Sequence, residues 1–160
     1  MSNEELRLLY EADQEDRRTR RRDGMIERDA ERRAQAKVLV DTQCLQTADD
    51  YFHAALIFQH SMAVEDTELA HRLAKQAAAL GHRQARWLAA ATLDRSLVHR
   101  GEPQRYGTQY HAVDGRWELH DVDPAITDDE RAAWNVPPLR EAKARAERMT
   151  AETPPKSWPA

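Results

Sequence analysis

A mainly α fold, a helical-repeat-like bundle of antiparallel or orthogonal helices closed by one C-terminal β-hairpin, follows from three observations. The 160 residues include only 5 Gly and are rich in Ala, Arg and Glu, which are strong helix formers. Apolar residues recur every three or four positions across most of the first hundred residues, with capping residues before and glycines after several of these stretches. Beyond Pro103 the pattern changes to alternation around Asp114-Gly115, a pair suited to a two-residue hairpin turn.

The elements can be justified in order. Asn3 to Arg22 is expected to be helical, with Leu6, Leu9, Tyr10 and Asp13 in phase and Gly24 as the break. Met25 to Val40 forms a second helix whose apolar row, Ile26, Ala30, Ala34 and Val38, is narrow on a charged rod. Thr47 offers an N-cap to Ala48-Asp49-Asp50, and Tyr51 to Met62 reads as a central apolar helix. The next helix starts near Glu65-Asp66-Thr67, carries Leu69, Leu73, Ala77 and Leu80, and stops at Gly81. A short loop leads to a helix over Arg83 to His99 that is apolar nearly all round its first half, so it must be covered on several sides, and Gly101 ends it. Tyr110, Ala112, Trp117 and Leu119 would share the inward face of the hairpin. Thr127 to Glu130 is a capping box opening a short helix to Trp134, Pro137-Pro138 interrupts, and a last helix covers Leu139 to Met149.

Small residues around Ala77 to Ala79, leading into Ala85 and Trp87, permit the close helix approach seen in repeat proteins, but no second copy of the pattern exists. The expectation is therefore a single helical domain over 1–149, with the hairpin at about 107–122, and a Pro-rich flexible tail over 150–160. A net charge of −4 argues against nucleic acid, and the basic run Arg17 to Arg22 is flanked by Asp13, Glu15, Asp16 and Asp23, which suggests a self-neutralised, solvated helix face. No apolar run approaches the roughly 20 residues of a membrane span. The N-terminus lacks the features of a signal peptide, and the single Cys44 cannot form an intrachain disulfide, so a cytoplasmic location is expected.

Several polar clusters stand in a distinctive order: Asp13-Gln14 with Arg17, Gln59-His60, Asp94-Arg95, then Pro103-Gln104 and Tyr106-Gly107-Thr108-Gln109. In this order they resemble an uncharacterised bacterial family of small, mostly helical domains whose signature is an Asp-Gln pair, a Gln-His pair, an Asp-Arg pair and a Gln-x-Tyr-Gly-Thr-Gln run. The resemblance spans roughly Leu6 to Ala142. It implies a shared polar site and brings no reaction with it.

The residues themselves support such a grouping. Gln59 falls on the apolar face of its helix, and an unpaired buried amide costs about 1–3 kcal/mol, so it needs a partner. Asp94 lies in phase with Trp87 and Ala91 on the most covered helix, and a buried carboxylate must be paired to stay charged. Arg95, Arg17 and backbone amides near Gly107 are candidate partners. His60, with an ordinary pKa of about 6.5, suits proton transfer at neutral pH. Arg95 could pair a carboxylate or phosphate, and Tyr106 and Thr108 could donate to a substrate oxygen. The competing reading is a buried polar network that locks the hairpin to the bundle. On the hairpin, His111 opposite Glu118 and Gln109 opposite His120 form a polar outer face, with no accompanying metal motif.

The expected function is a small cytoplasmic protein with a buried polar pocket built from Asp13, Arg17, Gln59, His60, Asp94, Arg95, Gln104, Tyr106, Thr108 and Gln109. It would bind a small polar or peptide-like ligand, with metal-independent acid/base chemistry by His60 in a bacterial pathway of the natural-product type. No cofactor and no metal ion is expected, nor a nucleic-acid or membrane partner. The alternative is a non-catalytic helical protein-interaction module using a helical groove with the Trp-bearing hairpin or tail. Self-association is expected as a homodimer through Ile26, Ala30, Ala34 and Val38, a row that can meet its own copy in a twofold contact.

Overall fold

The computed structural model describes residues 2–155 and is mainly helical, with a single two-stranded antiparallel hairpin towards the C-terminus. The helices are α1 (Glu4–Arg18), α2 (Met25–Asp41), α3 (Ala48–Phe58), α4 (Val64–Ala79), α5 (Ala85–His99), α6 (Asp128–Ala133) and α7 (Leu139–Glu152). The strands are β1 (Tyr110–Val113) and β2 (Arg116–Leu119).

Capping chemistry fixes several ends. Thr47 and Asp50 form a reciprocal capping box at the start of α3, and Thr127 and Glu130 form another at α6. Asp50 does more than cap its own helix, because its carboxylate also accepts from Ser2 Oγ and the Asn3 amide and so ties the start of α1 to α3. Gly81 and Gly101, both in the left-handed region, end α4 and α5 as expected. His82 N donates to Ala77 O and Glu102 N to Leu97 O, the long bonds of a Schellman stop.

The main core lies where α4 packs on both α3 and α5 and where α1 packs on α3. Ala70, Ala74 and Ala77 of α4 and Ala85 and Ala89 of α5 are fully buried. With no side chain beyond Cβ, they let the two helices approach closely while Leu73, Leu88, Phe52 and Phe58 fill the space around them. A smaller cluster of Ala90, Tyr106, Ile126 and Val136, with Leu93 and Trp134, holds the C-terminal segments against α5.

The hairpin has the expected register, Tyr110 opposite Leu119 and Ala112 opposite Trp117. Asp114 and Gly115 both have positive φ, the requirement of the tight turn whose twist matches the strands. Its Tyr110 and Trp117 face packs on α7: Tyr110 Oη donates to Ala142 O, and Trp117 N donates to Thr150 Oγ1.

Helix α1 ends at Arg18 rather than Arg22, and two further boundaries differ from expectation. The central apolar helix ends at Phe58 rather than Met62, so Gln59 is its C-cap and His60 lies in the turn beyond. Helix α7 runs to Glu152 because Thr150 caps back onto Ala146 O while receiving the Trp117 amide, so 150–152 is helix and not tail. The rest of the expected tail is described only as far as Pro155. No helix among the described residues is long and apolar enough to cross a membrane.

Candidate functional site

The expected site residues separate into two groups joined through Arg95. The first is centred on Asp94. Its side chain is fully buried, and its carboxylate accepts from Arg105 N at 2.8 Å, Tyr106 N at 2.9 Å, Thr108 N at 3.0 Å and Thr108 Oγ1 at 2.8 Å. Gly107 makes this convergence geometrically accessible. Its φ of +84° turns the chain between Tyr106 and Thr108, and a Cβ there would lie 3.4 Å from Leu139 Cδ1. Burial pushes the Asp94 carboxyl upward, and the four donors oppose that shift by favouring the charged form. Every partner donates to the carboxylate, so its lone pairs are committed to the loop.

Gln104 is committed in the same way. It is fully buried; Nε2 donates to Gln109 O and His120 O, and Oε1 accepts from Gln109 N. Asp94 and Gln104, expected as ligand contacts, therefore act in this structure as braces that shape the loop before β1. Tyr106 is buried beside Trp134, their ring centroids 6.2 Å apart, and its backbone carbonyl accepts from Arg131 Nε at 3.2 Å. Among the described residues no hydrogen bond or ion pair joins Tyr106 to His60.

The second group surrounds Asp13, also almost wholly buried. Asp13 Oδ1 lies 2.8 Å from Arg17 Nη1, while Oδ2 accepts from Gln14 Nε2 at 2.9 Å and lies 3.5 Å from His60 Nε2. The expected solvated face of α1 is thus corrected at these positions. Asp13 and Asp16 turn inward because α2 supplies cations to meet them: Arg32 Nη1 donates to Asp16 at 2.9 Å, Arg28 Nε to Asp16 at 2.7 Å, and Arg17 and Arg32 both reach Asp29. Arg28, Asp29 and Arg32 were not singled out from the sequence. The readable signal was their spacing, which puts Asp29 and Arg32 one turn apart, as Asp13 and Asp16 are on the preceding helix.

His60 sits at the inner edge of this network. Its Nε2 is buried and has no hydrogen-bond partner among the described residues, the Asp13 oxygen standing just beyond bonding distance. Burial pushes the imidazole pKa down; Asp13 pulls it up, and Arg17 and Arg95 add to the downward shift. The net shift favours the neutral imidazole.

Arg95 connects the two groups. Its Nη1 donates to Gln59 O at 2.5 Å and its Nε to Gln109 Oε1 at 3.1 Å. Gln109 Nε2 in turn donates to Thr108 Oγ1 and Ala91 O, and Thr108 Oγ1 donates to Asp94. Gln109 therefore points towards α5 rather than lying on a solvated outer face of the hairpin. Gln59 takes part through its main-chain carbonyl, not the amide expected from the sequence, because α3 stops one residue earlier and leaves that carbonyl free. Arg95 makes no ion pair among the described residues; burial and the nearby Arg17 push its pKa down.

A family model for a family of unknown function, DUF6624, matches residues 24–149. The chain belongs to DUF6624. The DUF6624 match includes His60, Asp94, Arg95 and the loop to Gln109, while Asp13, Gln14 and Arg17 precede it, so α1 contributes its carboxylate from outside the matched segment. The comparisons with curated proteins and with solved structures gave no match.

Two clefts flank exposed Trp87. One of about 540 Å³ is walled by Tyr10, Leu56 and Gln14, and Gln14 is the residue whose amide holds Asp13. The other, about 490 Å³, lies between the hairpin and α7 and includes Thr108, Arg145 and Arg148. On the other side of the hairpin, the His111 and His120 rings lie with centroids 4.0 Å apart and planes inclined at 38°. No group of three or more metal-ligating side chains occurs among the described residues.

Proposed function

We propose that this protein binds a small polar ligand carrying an anionic group at the Asp13, Arg17, His60 and Arg95 cluster, and that His60 acts there as a metal-independent general base. The observation that carries this reading is Arg95. Among the described residues, this half-buried guanidinium has an amide oxygen and a main-chain carbonyl as acceptors and no carboxylate paired with it, and a carboxylate or phosphate of the ligand supplies the missing charge. His60 stands beside it, neutral and with an unengaged Nε2, while Asp13 stabilises the imidazolium that forms when a proton is taken up. The cleft beside Gln14, Leu56 and Trp87 accommodates an apolar or peptide-like portion of the same ligand. The free, exposed Cys44 suits a reducing compartment, consistent with work in a bacterial cytoplasm in a natural-product-type pathway.

The test is a thermal-shift and calorimetry panel of inorganic phosphate, simple carboxylates and N-acetyl amino acids at constant ionic strength. Stabilisation by one anionic class, retained in His60→Gln and lost in Arg95→Gln, is expected. A panel in which no anion stabilises the protein beyond a matched chloride control overturns the reading, as does equal binding by Arg95→Gln.

A further inference from the structure

The apolar row of α2 faces away from its own domain. Ile26 is 80% exposed and Val38 60%, and Ala30 and Ala34 between them are exposed as well. The side of α2 that packs inward carries Arg32, Ala36 and Leu39. At about 100° per residue, these two sets lie nearly opposite each other on the helix. Helix α2 therefore carries apolar residues on two sides, and only the side with Ala36 and Leu39 is covered within the described residues.

We propose that this outer row is covered by α2 of a second copy of the chain, the two helices running in the same general direction about a twofold axis. Residues four apart form a ridge, and ridges of this kind on two helices pack into each other's grooves at a crossing angle of about 50°. Ala30 and Ala34 at the middle allow close approach, with Ile26 and Val38 closing the ends. The charged rows beside the ridge select the direction. Glu27 and Glu31 lie along one side, while Arg33 and Lys37 lie along the other. A twofold axis along the ridge sets each acidic row against the partner's basic row and brings Glu31 within a turn of the partner's Arg33 on both sides. The opposite direction sets the acidic row against itself, with Glu31 beside its own copy. Arg33 and Lys37 have neighbours of their own, Asp66 at 3.6 Å and Asp41 at 2.6 Å, but these are partly exposed pairs whose cations can be shared at little cost. The contact leaves the Asp13 and His60 cluster open, because that cluster meets the other side of α2.

The experiment is sedimentation equilibrium of the full chain from low micromolar to near-millimolar concentration. A reversible dimer is expected, abolished by Ile26→Glu or Val38→Glu with unchanged thermal melting, since both side chains are exposed in the single chain. Glu31→Lys and Arg33→Glu, each alone, should weaken dimerisation about tenfold or more, the scale of two attractive pairs turned repulsive. An equimolar mixture of the two variants should restore it. Direction is read independently from disulfide formation: in a Cys44→Ser background, Ala30→Cys should cross-link to itself. A monomer at every concentration, or a dimer indifferent to Ile26→Glu, overturns the proposal. Cross-linking only when Ala30→Cys is mixed with Ala34→Cys overturns the direction and with it the charge argument.

Discussion

Asp94 and Asp13 are both carboxylates removed from solvent, yet their surroundings differ in kind. Asp94 is met by main-chain amides and one hydroxyl, all from a single loop, and nothing in that knot is left over. Asp13 is met by long side chains from three separate elements, and the network around it leaves His60 Nε2 and Arg32 Nε without hydrogen-bond partners. A carboxylate that saturates backbone donors fixes a loop, since the donors cannot leave without unfolding it. One that meets charged side chains beside an unengaged imidazole has partners that can be exchanged for a ligand without unfolding a loop. Under the proposed function, the difference leaves the Asp94 knot to shape the loop and gives the Asp13 cluster the ligand.

The sharpest way to break this comparison is Asp94→Ala. Stranding three buried amides should cost about 3–5 kcal/mol in equilibrium urea unfolding. A loss below about 1 kcal/mol would erase the distinction. Next in size, Gly107→Ala should cost about 1–3 kcal/mol, because an alanine is strained at that φ and its Cβ meets Leu139 and Ala142. Hydrogen exchange at Thr108 and Gln109 should quicken in that variant before exchange in α3 does.

Acid should expose the imidazoles. Burial lowers the pKa of His53, His60, His71, His82, His99 and His120, so the folded protein binds fewer protons than the unfolded chain just below the ordinary histidine value. Stability is then complete above about pH 6.5 and declines as pH falls through that value towards the folded pKa values. The urea midpoint should drop between neutral pH and about pH 5.5. A further loss should follow towards pH 2 from Asp50, whose amide and Ser2 donors outweigh burial and hold its pKa at about 2. Asp50→Asn should shrink that last step, to which Asp16 and Asp29 beside their arginines also contribute, and leave the histidine step in place.

The smallest stability effect belongs to His60→Gln, expected below about 0.5 kcal/mol because its Nε2 makes no bond to lose. Proton-detected titration of His60 should give a midpoint below the ordinary histidine value, and Asp13→Asn should lower it further by removing the charge that favours imidazolium. An unchanged midpoint in Asp13→Asn would show that the two groups do not interact.

Local rules made much of the architecture legible. Thr47 announces an N-cap, Thr127 a capping box, Gly81 and Gly101 their helix stops, and Asp114-Gly115 its turn, because each depends on backbone geometry within a few residues. Small residues on α4 and α5 likewise marked the close helix contact. The end of α3 and the extension of α7 were not legible, since distant partners decide them: Arg95 captures the Gln59 carbonyl, and the hairpin amide of Trp117 reaches Thr150.

The sequence by itself determined that Asp94 and Arg95 sit on the most covered helix and need partners, because burial of a charge follows from periodicity. Only the tertiary structure decided which partners those are. It gave Asp94 a complete set of donors and, among the described residues, left Arg95 without an ion-pair partner. It turned Asp13 and Asp16 inward because α2 happens to present Arg28 and Arg32 to them. It also decided that the row from Ile26 to Val38 faces outward, since the opposite side of α2 is held by those same ion pairs and by Leu39. Apolar residues on two sides of one helix carry no mark of which side is inner, and the choice falls to the charges that α1 places against it.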